Sequence, residues 1–235
     1  AWTPIGNVTA RFKGIFDGQG HTIIGMYVVD SATDVGQAMF GCIDGATIKN
    51  FKLVNSYFAS SDVMTAGDVW GRVGSVVGTA YAGTIENVYS DATLSGAAMF
   101  NGGIVALYRA PRVNGTIQPS ELTIRNCWYN GILDLGTNGR TAGGILGGTT
   151  EGLSANVDQT KLTIENCLFS GEITGSFNGA EPCIGGIFGR MINTNAVVND
   201  CLVTGSLNVN TIKYTGSAYG YKNYGAKIAI TDLYV

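Results

Sequence analysis

Apolar and polar residues alternate along this chain in short bursts that restart at a recurring landmark. An apolar residue, Ile48, Ile85, Ile124, Ile164 or Val198, is followed by a polar one, Lys49, Glu86, Arg125, Glu165 or Asn199, and then by an Asn or Asp. That landmark falls at 50, 87, 126, 166 and 200, and in a worn copy at 232, so its spacings are 37, 39, 40, 34 and 32 residues. Phe51, Val88, Cys127, Cys167 and Cys201 come next, and Lys52, Tyr89, Trp128, Leu168 and Leu202 one place later. Side chains along a strand point to opposite faces in turn. If the chain bends at the landmark and buries the residue after it, the later set faces outward as an apolar stripe from Tyr89 to Leu202.

A glycine-rich burst precedes each landmark: Gly36-Gln-Ala-Met-Phe-Gly41, Gly74-Ser-Val-Val-Gly78, Gly102-Gly-Ile-Val-Ala106, Gly143-Gly-Ile-Leu-Gly147, Gly185-Gly-Ile-Phe-Gly189 and Gly216-Ser-Ala-Tyr-Gly220. Between these bursts lie short runs rich in Val, Ile, Thr, Tyr and Phe, broken by Gly, Asn, Ser and Asp, and nothing keeps helical periodicity over three turns. A period of about 36 residues carrying some three strands fits one coil of a solenoid. The expected fold is all-β, a single right-handed parallel β-helix of about seven coils stacked about 4.8 Å apart. The whole chain, 1–235, forms one domain on this reading. Stacking puts Asn50, Asn87, Asn126 and Asn166 in a column whose amides can bond up and down the stack at the bend, as in steric zippers.

Composition narrows the function classes. Glycine supplies 35 of 235 residues and charged residues 13%. That is too rich in glycine for helices and too apolar for disorder. A formal charge of −3 with scattered Lys and Arg leaves no basic stripe for nucleic acid. No apolar run is long enough for membrane insertion by this segment. The five cysteines are odd in number, and Cys127, Cys167 and Cys201 share one slot, which suits a column of small buried side chains. Paired Cys/His at metal-binding spacing is absent, so no cofactor or metal is expected. Asp17, in Asp17-Gly-Gln-Gly20, reads as a turn residue bonding its own backbone, and His21, the single histidine, as a turn histidine. The tyrosine-dense stretch from Tyr214 to Tyr224 suits a cover for the end of the stack, with sugar stacking as the alternative. The abrupt start at Ala1-Trp-Thr-Pro4 suggests a piece of something longer.

Uneven loops pick out candidate binding residues. Between the glycine-rich burst and the landmark the third and fourth repeats carry insertions, residues 107–122 and 148–162. These bring Tyr108, Arg109 and Arg112 in one and Glu151 and Asp158 in the other, and loops on a rigid scaffold are where binding concentrates. With the stripe residues Tyr89 and Trp128 they make the candidate ligand site, in which the arginines fork onto an acidic group and Trp128 stacks on a ring. The alternative is that Arg109 and Arg112 pair with Glu151 or Asp158 and merely hold the loops together. No catalytic set stands out.

Trp2-Thr-Pro-Ile-Gly6, the segment Phe12-x-Gly-x-Phe-Asp-Gly-x-Gly-His-Thr-Ile23 and the repeated Gly-Gly-Ile-x-Gly with Ile-x-Asn-Cys resemble the GLUG-repeat proteins. These are secreted or surface-anchored proteins of gut Bacteroidetes and Firmicutes, whose motif also occurs beside bacterial immunoglobulin-A-cleaving metalloproteases. The resemblance covers nearly the whole chain. It implies a right-handed β-helix of the pectin-lyase-like type and an adhesin-like or spacer role. Two departures stand out: the peptidase motif His-Glu-x-x-His is absent, and the sixth repeat lacks the cysteine and the glycine pair. The expected function is therefore a non-catalytic, extracellular or cell-surface, adhesin-like module, a monomer that presents a face and loops to a host or bacterial glycan or surface protein. A polysaccharide lyase or glycoside hydrolase on the same scaffold, or a purely structural stalk, are the alternatives.

Overall fold

The computed structural model describes the whole chain except residues 30–35, 61–70, 97, 138–139, 151–156, 178–181, 211–212 and 224. The strands stack in four rows of parallel neighbours. The longest row, a ten-stranded sheet, holds the landmark: Ile15–Asp17 and Thr22–Ile24, Ala46–Val54, Gly83–Ser90, Ser120–Arg125 and Trp128–Tyr129, Thr160–Glu165 and Leu168–Phe169, Asn195–Val203, and Lys227–Tyr234. The chain then passes to a six-stranded row (Tyr57–Ser60, Thr93–Gly96 and their equivalents), a five-stranded row (Arg72–Gly74, Phe100–Gly102 and so on) and a second six-stranded row (Val77–Ala80, Val105–Tyr108 and so on), which leads back to the first. This is the parallel β-helix expected. The pairing between Arg112–Val113 and Thr116–Ile117 is antiparallel, and one helical turn, a 3-10 turn at Val157–Gln159, is present among the described residues. None of their helices is long and apolar enough to cross a membrane.

The register repeats the sequence alignment. Thr47, Thr84, Thr123, Thr163 and Val197 face one another from rung to rung, as do Ile48, Ile85, Ile124, Ile164 and Val198. Those five Ile and Val side chains are fully buried, and the cluster they belong to runs unbroken from Met26 to Ala226. One strand face is thus core along the whole stack, which is why register cannot slip by a residue without exposing all of it.

The glycine-rich burst is not one strand, as its sequence suggests, but a corner between two rows. Thr141–Gly143 ends one strand and Leu146–Thr149 begins the next. A Cβ on Gly143 would run into the carbonyl oxygen of Leu146 and the backbone of Phe188, and one on Gly144 into the carbonyl oxygen of Gly186 and the ring of Phe169. The glycine pair lets the corner fold tightly over the aromatic side chain of its own coil.

Cys127, Cys167 and Cys201 lie 1%, 2% and 0% exposed, and all five cysteines are free thiols. Each of the three directs its Sγ to a backbone carbonyl two residues earlier and to another in a neighbouring coil. Burial, with the adjacent thiols, pushes the Cys167 thiol well above its usual range, and hydrogen bonding to Cys167 together with burial does the same for Cys201. Titration of the native protein with a thiol reagent should leave these three unreacted until denaturant is added; reaction of all three in the native state would contradict the packing. Gly144→Ala should lower unfolding free energy by about 2 kcal/mol in denaturant melts, since a methyl group forced into a full corner costs about that much; an unchanged midpoint would contradict it.

Candidate functional site

Every landmark residue turns the chain with a left-handed backbone: φ is 60° at Asn50, 55° at Asn87, 53° at Asn126, 50° at Asn166, 49° at Asp200 and 49° at Asp232. Asn and Asp are the non-glycine residues that accept this conformation most readily. The asparagines then bond in one direction. Asn166 donates from Nδ2 to Oδ1 of Asn126, Asn126 to Asn87, Asn87 to Asn50, and Asn50 to the carboxylate of Asp17, at 2.6, 3.0, 2.9 and 3.0 Å. Asp200 has no amide hydrogen to pass on, so the column stops there; its carboxylate takes the Nδ2 of Asn199 at 2.7 Å.

Asp17 is thus both the turn residue expected, accepting the backbone N–H of Gln19 at 2.9 Å, and the foot of the ladder. That backbone bond, the Asn50 amide and Lys49 at 3.8 Å hold its carboxyl below the usual range. The polar residues one place before the bend form a partial charge ladder of their own, with Arg125 against Glu86 at 2.6 Å.

The bend turns the next side chain into the core and the following one out, as the alternation predicts. Lys52, Tyr89, Trp128, Leu168, Leu202 and, at the far end, Tyr234 form one outward row in register, beginning at Thr22. Tyr89 and Trp128 meet edge to face with ring centres 4.9 Å apart. Trp128, 43% exposed, is fixed by its Nε1, which donates to Ser170 Oγ at 2.6 Å, and that hydroxyl in turn donates to Asn130 at 2.8 Å.

Between the ladder and the outward row runs an open groove of about 560 Å³, lined by Asp17, Gln19, Gly20, Asn50, Phe51, Lys52, Asn87, Val88, Tyr89, Asn126 and Trp128. Its one wall is amide and its other aromatic. Ladder bonding uses one N–H and one lone pair of each internal Asn, and a side-chain amide has two N–H donors, so Asn87 and Asn126 still present a donor to the groove. Its one carboxylate, Asp17, is held ionised by its hydrogen bonds, the opposite of what a general acid needs. Among the described residues no group of three His, Cys, Asp or Glu could hold a metal.

The insertions lie elsewhere. They meet each other at Pro119, Ser120, Glu121, Asp158, Gln159 and Lys161, around a second depression of about 390 Å³ at the start of their strands. From Glu121 to Trp128 is seven residues of chain, about 20 Å at strand rise, and a bend intervenes. Among the described residues the expected junction of loops and stripe therefore does not form, because each insertion enters before the strand and the stripe leaves after the bend. Tyr108 is a correction as well. It is the buried last residue of its strand, with its hydroxyl on Ser120 Oγ and the Lys161 carbonyl, both at 2.9 Å, so it clamps the two insertions and faces no ligand.

Arg109 is half-buried, and Arg112 donates to the carbonyl of Gly115 at 3.1 Å inside its own small hairpin. That hairpin turns on Asn114-Gly115, both at positive φ, a dipeptide that marks such turns in sequence and was readable there. Asp158 pairs with Lys227 at 2.8 Å. Glu151 lies outside the described residues, and the pairing proposed for it with it. The polar wall of Asn50, Asn87 and Asn126 was legible as a ladder but not as the lining of a site.

No family model matches the chain, and no curated protein matches it. A search of solved structures finds a likeness to the crystal structure of a putative immunoglobulin A1 protease from Bacteroides ovatus, with a TM-score of 0.65 and 20% sequence identity. The match covers 93% of this chain but 58% of that one. It establishes a shared fold.

Asn126→Ala removes two ladder bonds, worth about 1 kcal/mol each, and puts a β-carbon without a local polar partner into a left-handed turn, about 1 kcal/mol more. Denaturant melts should show a loss of about 3 kcal/mol; a loss within error would mean the column is ornamental. The Asp17 carboxyl, lowered in the folded state, contributes stability that is present above its unfolded pKa and is lost as pH falls through the folded value. Acid titration should therefore show Asp17 protonating below 3.8, with Asp17→Asn removing that part of the pH dependence; a normal or raised value would contradict the ladder's foot.

Proposed function

We propose that this chain is a non-catalytic module of a cell-surface or secreted protein, adhesin-like, which holds a glycan in the groove between the asparagine ladder and the Tyr89/Trp128 wall. The observation that carries the reading is the pairing of those two walls. A pyranose has apolar C–H faces and a rim of hydroxyls, so it needs an aromatic surface beside fixed donors and acceptors. Indole and amides here are both locked by hydrogen bonds, so little freedom is lost on binding. A stalk alone gains nothing from a 43% exposed Trp128 held at a fixed angle.

The lyase or glycosidase reading has less support. Glycoside hydrolysis ordinarily uses two carboxyl groups flanking the bond, one of them with a raised pKa. Among the described residues the groove has Asp17 alone, and its carboxyl is lowered. The repeat motif resembles the GLUG-repeat surface proteins, and the name of the fold neighbour sets that protein against a secreted immunoglobulin; both are in keeping with a setting outside the cell.

The test is a glycan array with the folded protein, followed by titration calorimetry on hits. Trp128→Ala should reduce binding at least about tenfold while the protein still unfolds in one cooperative transition, because stacking on one ring is worth on the order of 1–3 kcal/mol. Arg112→Ala, in the distant hairpin, should leave binding unchanged. Equal binding by wild type and the Trp128 variant would remove the groove from consideration, and sugar turnover would replace the module with an enzyme.

A further inference from the structure

Lys52 sets the groove apart from a neutral sugar platform. It stands in register with Tyr89, which stands in register with Trp128, so a cation, a phenol and an indole follow one another at rung spacing, with about 10 Å from first to last. Lys52 is exposed, and no ion pair engages it among the described residues. The groove's acid, Asp17, is turned to other partners: Gln19, Asn50 and Lys49. Among the described residues the positive charge of Lys52 therefore meets no counter-charge at its end of the aromatic wall.

We infer that the groove is selective for an acidic pyranose, its carboxylate on Lys52 Nζ and its ring or the next ring of the chain on Tyr89 and Trp128; this rests on the glycan reading of the same groove. A uronic or sialic acid joins the three features this groove would take up, a carboxylate, an apolar ring face and hydroxyls, within the length of one or two sugar units. The hydroxyl edge meets Asn87 and Asn126, which line the same groove as the two rings. An acidic peptide fits less well. Extended peptides are held by backbone hydrogen bonds to a free strand edge, and the central strands here, Ala46–Val54, Gly83–Ser90 and Ser120–Arg125, have parallel neighbours on both sides. A nucleic acid needs several phosphates neutralised at once, and one lysine on a chain of net charge −3 does not do that.

Two ligand pairs that differ in little but charge decide the matter: oligogalacturonate against its methyl ester, and sialyllactose against the methyl ester of its sialic acid carboxyl. Titration calorimetry of the wild-type protein should show the acid of at least one pair binding about tenfold tighter than its neutral partner at low salt, the size expected of a charge-assisted hydrogen bond at a partly dry site. The margin should shrink as salt is raised. Lys52→Gln should abolish the margin by weakening the acid and leave the neutral partner unchanged, while Trp128→Ala weakens both. Neutral partners binding as well as the acids in wild type would overturn this inference and leave the glycan reading standing. A margin that survives in Lys52→Gln would likewise overturn it. Binding of neither pair, with array hits also absent, would overturn both.

Discussion

Asn50, Asn87, Asn126 and Asn166 hold the chain at φ of 60°, 55°, 53° and 50° and each passes an amide hydrogen to the coil before it. The rest of the molecule depends on that shared bend. It places Phe51, Val88, Cys127, Cys167 and Cys201 inside and Lys52, Tyr89, Trp128, Leu168 and Leu202 outside. A coil that turned one residue early would put its lysine or tryptophan into the core and its cysteine into water. The backbone preference of Asn and the amide bonding of Asn act at the same atoms, so local propensity and long-range contact select the same conformation.

A solenoid offers a binding surface cheaply in one respect: neighbouring coils repeat a geometry, so identical slots become rows, and rows become walls. In this chain the row of amides is structural along its whole length, yet only from Asn50 to Asn126 does the facing row carry a cation and two aromatic rings. Beyond Asn166 the outward row continues with Leu168 and Leu202 and the ladder ends at Asp200. Scaffold and proposed site therefore differ by three side chains on one row. The rigid indole, tied through Ser170 to Asn130, extends the same logic to the third and fourth coils.

The alternation of Ile164, Glu165, Asn166, Cys167 and Leu168 is enough to assign inside and outside, because a strand has a period of two and the bend preserves it. That made the fold class, the ladder and the outward stripe readable from sequence. The corner at Gly143-Gly144 was not, since a run of small and apolar residues looks the same whether it continues straight or folds back; only the collisions a β-carbon would meet distinguish them. The insertions were legible as insertions, but their distance from Trp128 depends on where along the strand they enter, and sequence order does not show that Tyr108 ends a buried strand before the insertion leaves the stack.

The side-chain amide protons of the four asparagines test the account most directly. Each Nδ2 carries two hydrogens, and nitrogen-edited NMR resolves them. If the ladder both turns the coils and lines the groove, then one hydrogen of Asn87 and one of Asn126 should exchange slowly with solvent, while the other exchanges fast and shifts when an acidic oligosaccharide is added. Two equivalent, fast-exchanging hydrogens on each residue, unmoved by the sugar, would contradict both the ladder and its use.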